Sequence, residues 1–321
     1  MKFTSIPPNG SSWSDTLPIS FDTESPKPID TTLSIITPTT TLARRKLYGV
    51  TSGTIDIAPY LKPLSCSPPT ITATPTITTS PSSQQLRVEI DGVSTSALKL
   101  FHAPFDIVHP HMLSYSTPYQ RIVRGEPILL TLVSNNSIQL TINYVSKSGS
   151  TKSTITAKSA GLPMDVVIPT ATINERVTTI DIEIASASTT FEKRSYRIVE
   201  PNGTTKSLMW YNKMGGIEQY TFPHVVRTSY KANLIGDGNN DALLPVHIKE
   251  ASVHYRLSSA HESPVEIERL SEIIFSPRIF LIEGEAIEPI TIDCREVIFD
   301  SHGRLKQLCI DITELWEGGV R

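Results

Sequence analysis

The sequence predicts an all-β chain, built as two or three sandwich or jelly-roll-like modules with one short helix near the C-terminus. Three observations carry this expectation. Thr, Ser, Ile and Val are abundant beside 24 Pro, a mixture that favours short strands and turns over helices. Apolar residues alternate with period 2 in one segment after another, and a single stretch shows helical spacing. At 321 residues the chain exceeds one average domain, and its 39% hydrophobic content gives an adequate core rather than a large one.

Taken in order, residues 1–30 mix Pro, Ser, Asn and Asp with apolar anchors at Trp13, Leu17, Ile19 and Phe21. This reads as an extended N-terminal arm whose anchors lie on another surface, either its own domain's or a neighbour's. Met1 to Pro8 carries one charge and then Pro where an export signal needs an apolar run, so the cytoplasm is the expected place of synthesis. No window has the length of a membrane span.

A small β unit is expected over 31–83, with strands at Leu33–Ile36, Leu47–Val50 and Thr54–Ile57. Arg44-Arg45-Lys46 is the only dense basic run and reads as a solvated strand end. With a net charge of −3, this argues against a nucleic-acid surface. The stretch from Pro63 to Ser83 carries too many prolines for a central strand and reads as an edge segment or a linker.

A sandwich is expected over 84–200, with strands at Leu86–Ile90, Ala97–Phe101, Ile128–Val133, Ile138–Val145, Ser153–Ala157, Asp165–Ile168, Thr179–Ile184 and Arg194–Val199. Turn signals at Asn135-Asn136, Ser148-Gly149 and Gly161-Leu162-Pro163 separate them. His109-Pro110-His111 places two imidazoles together, but no third ligand stands at zinc spacing, so the histidines read as loop residues and no metal is expected.

The C-terminal domain, 201–321, opens with the most distinctive segment of the chain, Trp210 to Phe222, WYNKMGGIEQYTF. Gly215-Gly216 permits positive φ or a close backbone approach, so Trp210 and Tyr220 or Phe222 can meet across a bend. The segment has no Ser, Cys or His, and Glu218 has no titratable partner within it, so it does not read as an active site. Further on, Asp237-Gly238-Asn239-Asn240-Asp241 has the oxygen spacing that opens a calcium loop. Ala242 and Ile248 then break that pattern, and a hairpin tip is the better reading. Ser263, Pro264 and Glu266 form a capping box at the start of the one expected helix, about 263–275, with Ile267, Leu270, Ile273 and Ile274 on one face. Strands follow at Ile279–Glu283, from Ile290 through Cys294 to Phe299, and at Leu305–Ile312. A three-residue loop at Ser301-His302-Gly303 sets Ile292 opposite Ile312 and Cys294 opposite Ile310, which buries one apolar face. In that register Cys294 and Cys309 point to opposite faces and are not bonded. With Cys66 the chain has three cysteines, which is no disulfide framework.

The order of these parts resembles structural proteins of tailed phages that infect Bacteroidetes, the crAss-like type. The N-terminal unit ends in Ile55-Asp56-Ile57 and Pro59-Tyr60-Leu61, and the sandwich closes on Tyr196-Arg197-Ile198-Val199. Then come Trp210-x-Asn212-x-x-Gly215-Gly216-x-Glu218-x-Tyr220-Thr221-Phe222, a capped helix leading to Ser276-Pro277-Arg278-Ile279, and a final hairpin. The resemblance implies a virion component of the neck, ring or tail. Its partners would be other copies of itself and neighbouring virion proteins, without catalytic residues, cofactor, nucleic-acid readout or membrane insertion. Trp13, Phe21, Trp210, Asn212, Gly215, Gly216, Glu218, Tyr220 and Phe222 are then the candidate structural and interface residues. The rival class is a glycan-binding sandwich, which places Trp13, Trp210 or Tyr211 on an exposed platform. A hydrolase needs a carboxylate pair or a Ser/His/Asp set, and no spacing in the sequence selects one.

Overall fold

The computed structural model describes residues 1–13, 16–61, 67–81, 83–103, 110–158, 162–186, 189–203, 205–235, 247–276, 278–293, 298–302 and 305–316. The chain is all-β, as its alternation requires.

The first module holds β1 (Lys2–Ser5), β2 (Pro18–Asp22), β3 (Ile29–Ile36), β4 (Thr41–Val50), β5 (Ser52–Asp56) and a one-turn helix, α1 (Ala58–Leu61). The next strand, β6 (Thr76–Thr79), leaves to pair with the sandwich, while β7 (Ser83–Ile90), β8 (Val93–Ser94) and β9 (Leu98–Phe101) return. A β1-β2-β5 sheet faces a second sheet ordered β4-β3-β7-β8, with β9 also on β7. Trp13, Leu17, Ile19 and Phe21 are buried against Leu33, Ile35, Leu86, Val88 and Ile90. Of the two surfaces expected to receive these anchors it is their own module's, and β1 and β2 are strands of its sheet rather than an extended arm. Trp13 N–H donates to Phe101 O at 2.8 Å and Gly10 N–H to Lys99 O at 2.8 Å, which pins the loop between β1 and β2.

The boundary expected at Ser83 is crossed by β3–β7 pairing, which sets Leu33 opposite Ile90 and Ile35 opposite Val88. The module therefore runs to Phe101, because alternation fixes the face of a strand but not its partner. Of the Pro-rich stretch, β6 is an edge strand, as the prolines demand, and Cys66 lies outside the described residues.

The sandwich adds β10 (His111–Met112), β11 (Tyr119–Val123), β12 (Ile128–Val133), β13 (Ile138–Ser146), β14 (Gly149–Ala157), β15 (Pro163–Ile168), β16 (Val177–Ser186) and β17 (Thr189–Val199). One sheet is ordered β10-β12-β15-β6, the other β11-β17-β16-β13-β14. Between them, Ile128, Leu130, Leu132, Val166 and Ile168 meet Ile138, Leu140, Ile142, Ile180, Ile182 and Ile184. The β11–β17 pair is parallel and was not foreseen. Gly161 and His109 lie outside the described residues.

The third module is one sheet of β18 (Lys206–Tyr211), β19 (Ile217–Phe222), β20 (His224–Ile235), β21 (His247–Ser258), β22 (Ile279–Glu283), β23 (Ala286–Ile292), β24 (Ile298–His302) and β25 (Leu305–Trp316). Helix α2 (Pro264–Ser271) packs on it and runs into a 3-10 turn, Glu272–Phe275. Ser263 Oγ caps it, accepting from Glu266 N–H at 3.2 Å, and Ile267, Leu270 and Ile273 are buried with Leu308 and Ile310. Residues 236–246, with the calcium-like loop, lie outside the described residues, as does Pro277.

Ile292 pairs with Ile312 as its burial demands. The turn differs from the expectation. Ser301 pairs with Lys306 and His302 with Leu305, so both belong to β24 rather than to the loop expected at 301–303. Between Ile292 and Ile298 the pairing shifts by three residues, from Ile292↔Ile312 to Ile298↔Cys309. Cys309 is free, and Cys294 lies outside the described residues.

The sandwich and the third module are stacked in layers. Strands β12 and β15 are buried at every position, the mark of a sheet covered on both faces. One face looks into the sandwich core. The other meets β18, β19 and β22.

Candidate functional site

The segment Trp210–Phe222 is where the two modules join. Its two strands pair as a hairpin, with Met209 opposite Gln219, Trp210 opposite Glu218 and Tyr211 opposite Ile217. Period 2 sends Leu208, Trp210 and Phe222 into the core beneath α2. It sends Met209, Tyr211 and Ile217 the other way, against Leu129 and Val167 of the sandwich. Tyr220 packs edge-on to Phe222, with centroids 5.0 Å apart, and donates its hydroxyl to Glu262 Oε1 at 2.9 Å. Burial pushes that phenol well above its ordinary range, and Glu262 adds to the rise.

The two glycines are needed for different reasons. Gly215 sits at φ 75, the left-handed region that favours glycine. At Gly216 the constraint is space, because a Cβ there would stand 2.4 Å from Leu113 O. Asn212 organises the turn from inside: its Oδ1 accepts from Met214 N–H at 2.9 Å and Gly216 N–H at 3.0 Å. Its Nδ2 donates to Leu113 O and to Glu218 Oε1, both at 2.7 Å.

Glu218 then closes the joint. Its Oε1 accepts from Tyr115 N–H at 2.5 Å and its Oε2 from Ser116 N–H at 3.0 Å. Gln219 bridges similarly, donating to Pro127 O at 2.9 Å and accepting from Leu129 N–H at 3.1 Å. Ile217 N–H donates to Thr131 Oγ1 at 3.0 Å, and that hydroxyl donates to Asp165 at 2.7 Å. Ser114 Oγ donates to Ile217 O at 2.6 Å. From behind, Arg194 braces the receiving segment, donating to Ser114 O at 2.7 Å and Ser116 Oγ at 2.8 Å. Sequence reasoning found Asn212, Gly215, Gly216 and Glu218. It missed Ser114, Thr131, Asp165 and Arg194, which carry no local signal because their partners are remote in the chain.

Three buried carboxyls line this junction. Burial raises Glu218 to about 7, against the pull of the N–H donors and of Arg194. Burial likewise raises Glu126 to about 7 and Asp165 to about 6. A raised carboxyl in a cleft marks a general acid. Glu218, however, has both oxygens occupied by N–H donors from its own chain, so the arrangement holds backbone rather than substrate.

One Ser/His/Asp set does come together, on the third module's sheet. Ser252 Oγ lies 3.1 Å from His254 Nε2, and His254 Nδ1 lies 3.0 Å from Asp293 Oδ2. Thr313 Oγ1 inserts beside the same pair, 2.7 Å from His254 Nδ1 and bonded to Asp293. Ser252 is in the interior of a strand flanked by Lys231 on β20 and Leu315 on β25. Its main-chain N–H belongs to the ladder, so Ser252 brings no oxyanion donor of its own.

Among the described residues no group of three or more His, Cys, Asp or Glu is placed to hold a metal ion. Trp13, Trp210 and Tyr211 are all buried, so the exposed aromatic platform expected of a glycan-binding sandwich is not formed by them. Arg44, Arg45 and Lys46 are exposed along β4, an edge strand, with Lys46 Nζ 5.0 Å from the Tyr48 ring centroid. Charge there guards the edge against unwanted pairing. No helix among the described residues is long and apolar enough to cross a membrane.

No family model matches the chain, and no curated protein matches it. Among solved structures the chain is similar to surface layer protein SbsC, domains 4-9, at 10% identity and a TM-score of 0.23. The match covers 98% of this chain and 43% of that one, a superposition too loose to carry an argument about fold or function.

Proposed function

We propose that this chain is a non-enzymatic structural subunit of a tailed-phage virion, acting in a symmetric neck, ring or tail assembly through contacts between copies. The observation that supports this is the role of its most distinctive segment. Asn212, Gly216, Glu218 and Gln219 direct their polar atoms and close approaches to a neighbouring module of the same chain. A subunit that transmits load needs its modules held in one fixed relation, and buried, satisfied hydrogen bonds provide it.

The surface suits the same role. Strands β14 and β20 are sheet edges, and Tyr230 and Val226 are exposed on β20. Edges of this kind pair with other chains unless they are covered or charged. The test is the mass and negative-stain image of the full chain at micromolar concentration. A closed ring or a tube is the expected result, and a monomer that persists as concentration rises counts against the proposal.

A further inference from the structure

A cleft of about 320 Å³ opens between the edge of the sandwich and the third module, at the small end of the range for ligand sites. Its sandwich wall is β11 and β17, which run parallel with Tyr119 beside Ser195 and Arg121 beside Arg197. Its opposite wall holds Glu262, Tyr220 and Glu266. None of this belongs to the module junction described above except Tyr220.

Three features set the cleft apart. Arg121 and Arg197 are exposed neighbours on adjacent strands, about 4.8 Å apart in backbone. Like charges so placed repel each other, and no acid among the described residues forms an ion pair with either. Tyr119 is 79% exposed at the rim, a ring with nothing packed over it. On the third module's wall, the buried Glu266 keeps an oxygen, Oε2, that no hydrogen bond occupies. Arg269 stands 3.8 Å from that oxygen, outside hydrogen-bond reach.

We propose that this cleft binds an acidic saccharide, either a free carboxylated sugar or the acidic end unit of a glycan. The paired guanidiniums receive the carboxylate, the geometry in which two parallel N–H donors serve best. Tyr119 offers its face to the apolar side of the sugar ring. Ser195 and Glu262 meet the hydroxyls. Burial raises the Glu266 carboxyl, against the pull of Arg269. The site is independent of whether copies of the chain assemble.

The experiment is saturation-transfer NMR and calorimetry on the full chain, with D-glucuronate and N-acetylneuraminate as probes and D-glucose and acetate as controls. An acidic sugar should bind more tightly than either control. Tyr119→Ala and Arg197→Gln, both at exposed positions, should each weaken binding about tenfold, equal to about 1.4 kcal/mol, while leaving the melting curve in place. Acetate binding as well as the sugars would mean a simple anion site and overturn the proposal. So would sugar binding unchanged in both variants, or no binding of either acidic sugar.

Discussion

The interior of the sandwich and the joint between the sandwich and the third module are buried to the same degree, yet they are held by different means. The sandwich interior is aliphatic: Ile138, Leu140 and Ile142 on one sheet face Ile128, Leu130 and Leu132 on the other. An apolar side chain of similar volume costs little there. The joint adds polar bonds to its apolar contacts: beside Met209, Tyr211 and Ile217 on Leu129 and Val167, Asn212, Glu218, Gln219, Ser114 and Thr131 each meet a defined partner. Hydrophobic contact sets how strongly two surfaces adhere, whereas a network of buried hydrogen bonds sets the single orientation in which they do so.

The largest expected effect tests the aliphatic half. Leu140→Ala removes a fully buried side chain and should cost about 3–4 kcal/mol. Hydrogen exchange read by mass spectrometry should show the loss throughout β13, β16 and β17. Next is Gly216→Ala, whose Cβ would meet the Leu113 carbonyl at 2.4 Å. An overpacked position of this kind costs about 3 kcal/mol. Here protection should fall in β18, β19 and the 113–116 segment while β13 and β16 keep theirs. If both variants lose protection across both modules together, sandwich and joint are one cooperative unit, and the contrast between them does not hold.

This contrast also explains what was legible in the sequence. Period 2 marks a strand and its buried face, so Ile128–Val133 was found to the residue; the helix starts after its Ser263 cap as expected, but its α-helical part ends at Ser271 and the rest is a 3-10 turn. The Ile292↔Ile312 pairing followed from burial in the same way. Partner choice is not encoded locally. The β3–β7 pairing and the parallel β11–β17 pair both join strands separated by long intervening segments, and the module boundary was misplaced for that reason. Trp13 and Phe21 announced that they were buried, but not that their own module buried them. At the joint, one half was visible as Trp210–Phe222. The other half, Leu113–Ser116 with Thr131 and Asp165, is ordinary sequence that matters only because of what docks on it.

A smaller effect probes the hydrogen bonds one side chain at a time. Asn212→Ala leaves the Met214 and Gly216 N–H groups, Leu113 O and Glu218 with one partner fewer each. A loss of about 2 kcal/mol is expected in chemical denaturation. Asn212→Asp should do worse than alanine, because it sets a second carboxyl beside Glu218. If the two are equal, Glu218 is neutral in the fold at the pH of the measurement.

The smallest effect is also the sharpest, because it separates burial from hydrogen bonding at one residue. Burial raises the Glu218 carboxyl to about 7 from an ordinary 4.5. A folded value above the unfolded one means that the fold binds the proton more tightly. The stabilisation is complete below about 4.5 and is lost as pH rises through about 7. Between pH 6 and 8 this one group should remove about 1 kcal/mol. Glu126 and Asp165, raised for the same reason, add to the slope in the same direction. Glu218→Gln keeps the shape and removes the titration, so its stability should fall less steeply over that window. Exchange protection in the first module, corrected for the intrinsic rate, should not follow pH in this way, since Glu218, Glu126 and Asp165 lie outside that module. If the protein is instead more stable at pH 8 than at pH 6, then the N–H donors from Tyr115, Ser116 and Asn212 outweigh desolvation. The joint is in that case built to hold a carboxylate, and hydrogen-bond geometry rather than proton uptake fixes the orientation of the two modules.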